Sequence, residues 1–136
     1  MVNYEKPTER PSIGNFYAFD HVTFWVGNAK QVAQFYTSRM GFEFVAYKGL
    51  ESGCRETATH VIRNGDIVYA FCSALEPGNK EMGAHHEKHG DGVKDVAFTV
   101  DDAAGIYNKA VERGAKGVME PKELKDDNGT VIVSAV

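Results

Sequence analysis

The sequence predicts an α+β protein made of two βαβββ modules, the second lacking its last strand. Two observations carry this. An apolar, β-branched and aromatic run followed by a helix-spaced stripe and a stopping glycine occurs twice, as HVTFWV to Gly41 and as DVAFTV to Gly114. Three further strand-like runs then follow the first occurrence and only two follow the second.

In the first module, HVTFWV reads as a strand, and Gly27-Asn28 breaks it. Ala29, Val32, Ala33, Phe35, Tyr36 and Met40 then recur at helical spacing up to Gly41. FEFVAYKG, ETATHVIRNG and DIVYAFCSAL read as three strands, the last two joined by a tight turn at Asn64-Gly65, where positive φ is expected. The second module opens on DVAFTV. Asp101 or Asp102 is the expected N-cap, Ala104, Ile106, Tyr107, Ala110 and Val111 form the stripe, and Gly114 is the stop. KGVMEP and, after the DDNG turn, TVIVSAV supply two strands. Superposing the two opening strands sets His21 on Asp95 (95 − 21 = 74), while the stopping glycines differ by one residue less (114 − 41 = 73). A sheet short of a strand exposes unpaired amides, so TVIVSAV is expected to seek a partner and the chain to form a homo-oligomer or swap an edge.

The expected organisation is a flexible segment over residues 1–18, then a single domain over 19–136. Its modules run over about 19–76 and 93–136, with a connector at 77–92. At 136 residues one domain is the default count. With 43% hydrophobic and 25% charged residues and no long apolar run, no membrane partner is expected. A net charge of −4, with lysine and arginine spread along the chain, lacks the basic face that nucleic acid requires. The lead-in MVNYEKPTERPSIGNF has no apolar core of a signal peptide, and Cys54 and Cys72 form no CxxC or CxxH pattern. Both point to reduced thiols and a cytoplasmic location.

Two constellations could hold a metal. AHHEKHGDGVKDVAF places His85, His86 and His89 close together. His86-Glu87-Lys88-His89 is one residue short of the zincin HExxH, however, and the segment lies between Gly83 and Gly90, so a single exposed helical turn is the expected structure. His21, opening the first strand, is the other candidate. A facial triad needs two histidines and a carboxylate on one metal. The first module's fourth strand holds no carboxylate, and Glu76 falls just past its end, before Pro77. His60 is a lone strand histidine, more often hydrogen-bonded than a ligand. Trp25 and the Phe/Tyr-rich strands are better explained as core than as an aromatic-binding cavity. There is no GxSxG elbow, P-loop or GxGxxG, and neither cysteine has a defensible base. No catalytic, cofactor-binding or metal-ligating residue is therefore assigned.

The duplicated pattern resembles the vicinal oxygen chelate superfamily, in which two modules curl into an open, cup-like mixed sheet with helices outside. FDHVTFWVGNAKQVAQFYTSRMGFEFVAYKGLESG, ETATHVIRNGDIVYAFCSAL and HGDGVKDVAFTVDDA resemble the N-terminal domain of the 4-hydroxyphenylpyruvate dioxygenase family, from about Phe19 to the C-terminus. That resemblance implies an Fe(II)-dependent enzyme of tyrosine catabolism that converts 4-hydroxyphenylpyruvate and O2 to homogentisate and CO2. It places the iron ligands in a C-terminal catalytic domain missing from this chain, and puts His85, His86 and His89 in a linker without ligands. His21 and Asp95 fall at the two superfamily ligand positions. The chain is expected to be structural, inactive alone and without its own cofactor. The alternatives are a stand-alone ligand-sequestering protein of the superfamily and a small metalloenzyme assembling His21 and Asp95 across a dimer, with His60 or Glu76 as further donors.

Overall fold

The protein is described by a computed structural model covering residues 12–136. Its elements are β1 (Phe16–Trp25), α1 (Ala29–Arg39), β2 (Glu43–Lys48), a 3-10 turn (Leu50–Ser52), β3 (Thr57–Asn64), β4 (Ile67–Ala74), α2 (Lys80–His89), β5 (Gly92–Val100), α3 (Ala103–Glu112), β6 (Met119–Asp126) and β7 (Gly129–Ala135). The first module is βαβββ and the second βαββ, as the duplication predicts. Five strands form one sheet in the order β2-β3-β4-β1-β5, and β6 and β7 form another.

The chain divides into two compact units, Ala18–Phe98 and residues 12–17 with Thr99–Val136. The division does not follow the modules: α2 and most of β5 belong with the first. Residues 1–11 of the segment expected to be flexible lie outside the described residues, and from Phe16 onward that segment is already in β1.

In the larger unit β4 is the organising strand. It pairs in parallel with β1 (Phe24 level with Phe71, Trp25 with Cys72) and antiparallel with β3 from Thr57↔Ala74 to Asn64↔Ile67. A parallel pair cannot be joined by a tight turn, so the chain needs a crossover, which α1 and the β2-β3 hairpin supply. The Asn28 side chain caps α1 by accepting from the Gln31 N–H at 3.0 Å, and the helix ends against Gly41 at φ +73°. Ala29 and Ala33 are fully buried, so the helix approaches the sheet closely. There Val26, Ile62 and Phe71 complete a small core that Phe24, Val32, Tyr36, Phe42 and Tyr69 surround. The Tyr36 and Phe71 rings stack 5.4 Å apart. The Asn64 side chain donates to the Gly41 carbonyl at 3.1 Å, tying the β3-β4 hairpin to the end of α1. The turn itself is Gly65-Asp66, not Asn64-Gly65: Asn64 stays in the ladder opposite Ile67, and only Gly65 takes positive φ, +58°.

In the smaller unit, Asp102 is the N-cap of α3, its carboxylate accepting from the Gly105 N–H at 2.8 Å. Asp101 instead accepts from the Asn15 backbone and side chain at 2.9 and 2.7 Å, and these bonds hold its carboxyl below the usual range. β6 runs to Asp126, well beyond the expected KGVMEP. Pro121, which has no N–H to donate, is accommodated by a register irregularity between Met119 and Lys122. The Ser134 hydroxyl donates to the Ala103 carbonyl at 3.2 Å and fixes β7 to α3.

Phe71→Ala is expected to cost about 3–5 kcal/mol, because the ring is fully enclosed, whereas Phe35→Ala, at a largely exposed helix position, should cost under about 1 kcal/mol. Urea unfolding of the two variants measures the difference.

Candidate functional site

The two positions that matter by analogy lie on neighbouring strands. His21 is on β1 and Asp95 on β5, which borders β1 in the sheet. His21 Nδ1 lies 2.7 Å from the Asp20 carboxylate. Asp20 and His21 line an open cleft of about 430 Å³ with Phe19, Asp66, Ile67 and Tyr69, and Asp95 is not part of that lining.

The further donors do not converge there. His60 stands opposite Tyr47 and Phe71 in the ladder, on the sheet face that packs against α1. The alternation of β1, with Phe24 on that face, sends position 21 to the opposite one. Continuing the β1-β4 register puts His21 level with Val68, and Ala74, at the end of β4, is already roughly 20 Å further along, with Glu76 beyond it. Among the described residues, no group of three or more His, Cys, Asp or Glu side chains could hold a metal ion. The donor set does not fit Fe(II), which needs three converging protein ligands.

His60 has a structural setting. Its ring packs 4.8 Å from that of Tyr47, whose hydroxyl donates to Glu51 at 2.6 Å. Burial, and then the Lys30 charge, push the imidazole pKa down. The Glu51 bond raises the Tyr47 phenol and lowers the Glu51 carboxyl.

The histidine-rich connector is not the single exposed turn expected. α2 is ten residues long and capped at its start by the Asn79 side chain. Met82 is buried and His85 and His86 are half-buried, while the other positions of the helix are exposed, as expected. His85 and His86 have local roles. His85 packs edge-on against Trp25 at 5.1 Å, with the Lys94 ammonium 4.5 Å from the indole centre. Desolvation first, then the charges of His89, Lys94 and His86, lower the His85 pKa. His86 Nδ1 donates to the Met82 carbonyl at 3.0 Å, which leaves Nε2 facing Asp91 at 3.5 Å. Asp91 in turn accepts from the Gly27 N–H at 2.8 Å, so α2 is latched to the end of β1. Sequence spacing could not reveal this latch, because Gly27 and Asp91 are 64 residues apart.

The sequence pattern of the Glyoxalase/Bleomycin resistance protein/Dioxygenase superfamily matches residues 18–134. The chain belongs to this superfamily. It is 55% identical to a 4-hydroxyphenylpyruvate dioxygenase of Tetrahymena thermophila across all of its length, and 57% identical to that of Sus scrofa across 88% of it. It spans only about a third of these relatives, 35% and 30% respectively. Among solved structures, a 4-hydroxymandelate synthase variant from Streptomyces coelicolor superposes with a TM-score of 0.78 at 23% identity, over 86% of this chain and 34% of that one. A methylmalonyl-CoA epimerase from Mycobacterium tuberculosis gives 0.66 at 14% identity, over 91% and 83%. At these identities the structural matches speak for the fold alone. They agree with the duplicated βαβββ reading of this superfamily member.

His89→Ala should change stability by no more than about 0.5 kcal/mol, whereas His85→Ala, which removes the contact with Trp25, should cost about 0.5–1.5 kcal/mol by urea unfolding. Acid should also destabilise the fold through His60. Its folded pKa is below that of the unfolded chain, so the unfolded state binds more protons as pH falls through the range just under the unfolded value. Stability is fully present above that value and declines below it, and His60→Gln should flatten the decline when unfolding free energy is measured against pH.

Proposed function

We propose that the chain is a non-catalytic domain of a 4-hydroxyphenylpyruvate dioxygenase. The observation that carries this reading is 55% identity across the whole chain to a relative of which it spans 35%. In the complete enzyme 4-hydroxyphenylpyruvate and O2 would give homogentisate and CO2, the 2-oxo acid of the substrate serving as internal reductant. Fe(II) there would be held by two histidines and a carboxylate outside this chain, and would supply O2 activation. The failure of His21, Asp95, His60 and Glu76 to form a ligand group among the described residues supports that assignment. The domain's role would be to pack against the catalytic domain and to support subunit contacts, in the cytoplasm. No helix among the described residues is long and apolar enough to cross a membrane.

Two experiments test the proposal. After anaerobic incubation with Fe(II) and desalting, elemental analysis should find no stoichiometric iron, and 4-hydroxyphenylpyruvate should provoke no oxygen uptake; turnover by the chain alone would refute the non-catalytic assignment. Conversely, the Tetrahymena thermophila relative with its matched third replaced by this chain should keep oxygen uptake within about tenfold, a change of about 1.4 kcal/mol in barrier. A folded but inactive chimera would remove this domain from that enzyme.

A further inference from the structure

The sequence contains two Asn-Gly pairs, Asn64-Gly65 and Asn128-Gly129, and both fall at hairpins inside the chain. An asparagine followed by glycine is especially prone to lose its amide. The next backbone nitrogen can attack the side-chain carbonyl, and glycine puts no side chain in the way. Sequence alone does not separate the two pairs. Their structural settings do.

Asn64 is the last residue of β3. It stays in the ladder opposite Ile67, and its side-chain nitrogen donates to the Gly41 carbonyl at 3.1 Å and to the Met40 carbonyl at 3.4 Å. To bring its Cγ onto the Gly65 nitrogen, the amide has to leave both carbonyls and the end of the strand has to open.

Asn128 lies outside both strands of its hairpin, since β6 ends at Asp126 and β7 begins at Gly129. It is exposed, and among the described residues its side chain has no hydrogen-bond partner. The Asp126 carboxylate accepts from the Asn128 N–H at 2.8 Å and from the Gly129 N–H at 3.0 Å. The turn is thus fixed through its backbone while the side chain that must move is free, and the attacking nitrogen already has a proton acceptor. Gly129 takes φ +151°, and nothing lies within 4 Å of where a side chain would stand on it. A larger residue that could shield the nitrogen would be strained there, so the turn itself favours the reactive pair.

We propose that Asn128 is a site of spontaneous succinimide formation and isoaspartate entry, and that the fold holds Asn64 out of the same reaction. The Gly129 nitrogen forms a bond to Asn128 Cγ as its proton passes to the Asp126 carboxylate. The Cγ–Nδ2 bond then breaks, and the amide nitrogen leaves as ammonia, taking that proton. Water opens the imide ring at either carbonyl to give aspartate or isoaspartate, and nothing is oxidised or reduced. Isoaspartate carries the main chain through Cβ, which lengthens the turn that sets Asp126 opposite Gly129. Either product adds a carboxylate beside Asp126 and Asp127.

The folded chain, held at neutral pH and digested with trypsin at intervals, tests this by mass spectrometry. Cleavage after Arg63 and Lys125 puts the two asparagines in separate peptides, residues 64–80 and 126–136. Asn128 should be converted at least about tenfold faster than Asn64, whose two hydrogen bonds must first break. An isoaspartate methyltransferase with a labelled methyl donor should mark the 126–136 peptide, and Asn128→Ser should abolish the mark. In guanidinium chloride, where neither turn is held, the difference in rate should disappear. Equal rates in the folded chain, faster loss at Asn64, no conversion at Asn128, a product free of isoaspartate or a difference that survives unfolding would each overturn the proposal.

Discussion

The parallel pairing of β1 with β4 is the interaction on which the rest of the structure depends. It joins the first strand of the module to the last, and so forces the intervening chain to cross over as a helix and a hairpin. It also sets Phe24 beside Phe71, with ring centroids 5.2 Å apart, which places the core on one face of the sheet and gives α1 its seat. Because β4 is bonded on its other side to β3, the same strand carries the β2-β3 hairpin into the sheet. The second module shows the converse. Among the described residues no strand does for β5 and β7 what β4 does for β1 and β3, and the β6-β7 hairpin is a sheet of its own.

The same geometry governs what the side chains can do chemically. A facial metal site needs donors from several strands aimed at one point, and here β1 offers His21 and β5 offers Asp95, while β4 carries no carboxylate. The residues that seemed richest in chemistry, His85, His86 and His89, are spent on structure. They form one side of a helix that rests on Trp25 and is latched by Asp91 to Gly27. This is the answer to the HHEKH motif: His85 rests on an indole, His86 lies between a carbonyl and a carboxylate, and the His89 ring packs 4.9 Å from that of His85.

The repeat was legible in the sequence because both modules start with the same device, an apolar strand, a helix-spaced stripe and a glycine stop, and Gly41 and Gly114 behave as that device requires; Asp102 caps α3 as expected, whereas the cap at Asn28 emerged only in the structure. What was not legible rests on long-range contacts. α2 runs for ten residues and buries Met82, which its own composition does not advertise. The position of the β3-β4 turn, one residue later than the Asn-Gly pair suggests, follows from Asn64 being needed in the ladder and at the end of α1. β6 continues through Pro121 because a register irregularity absorbs the missing donor. Whether His21, His60, Asp95 and Glu76 converge is likewise a question of strand register, which spacing along one chain cannot answer.

Because β4 is paired on both sides, whereas β6 and β7 form a two-stranded sheet among the described residues, the first module should hold most of the stability of this chain. Native-state hydrogen exchange as a function of urea, at a concentration where the chain has single mass, tests it most directly. Amides of β1, β3 and β4 should open only with global unfolding, and those of β6 and β7 through smaller openings that urea scarcely affects. Equal protection and equal urea dependence in both sets would contradict the account.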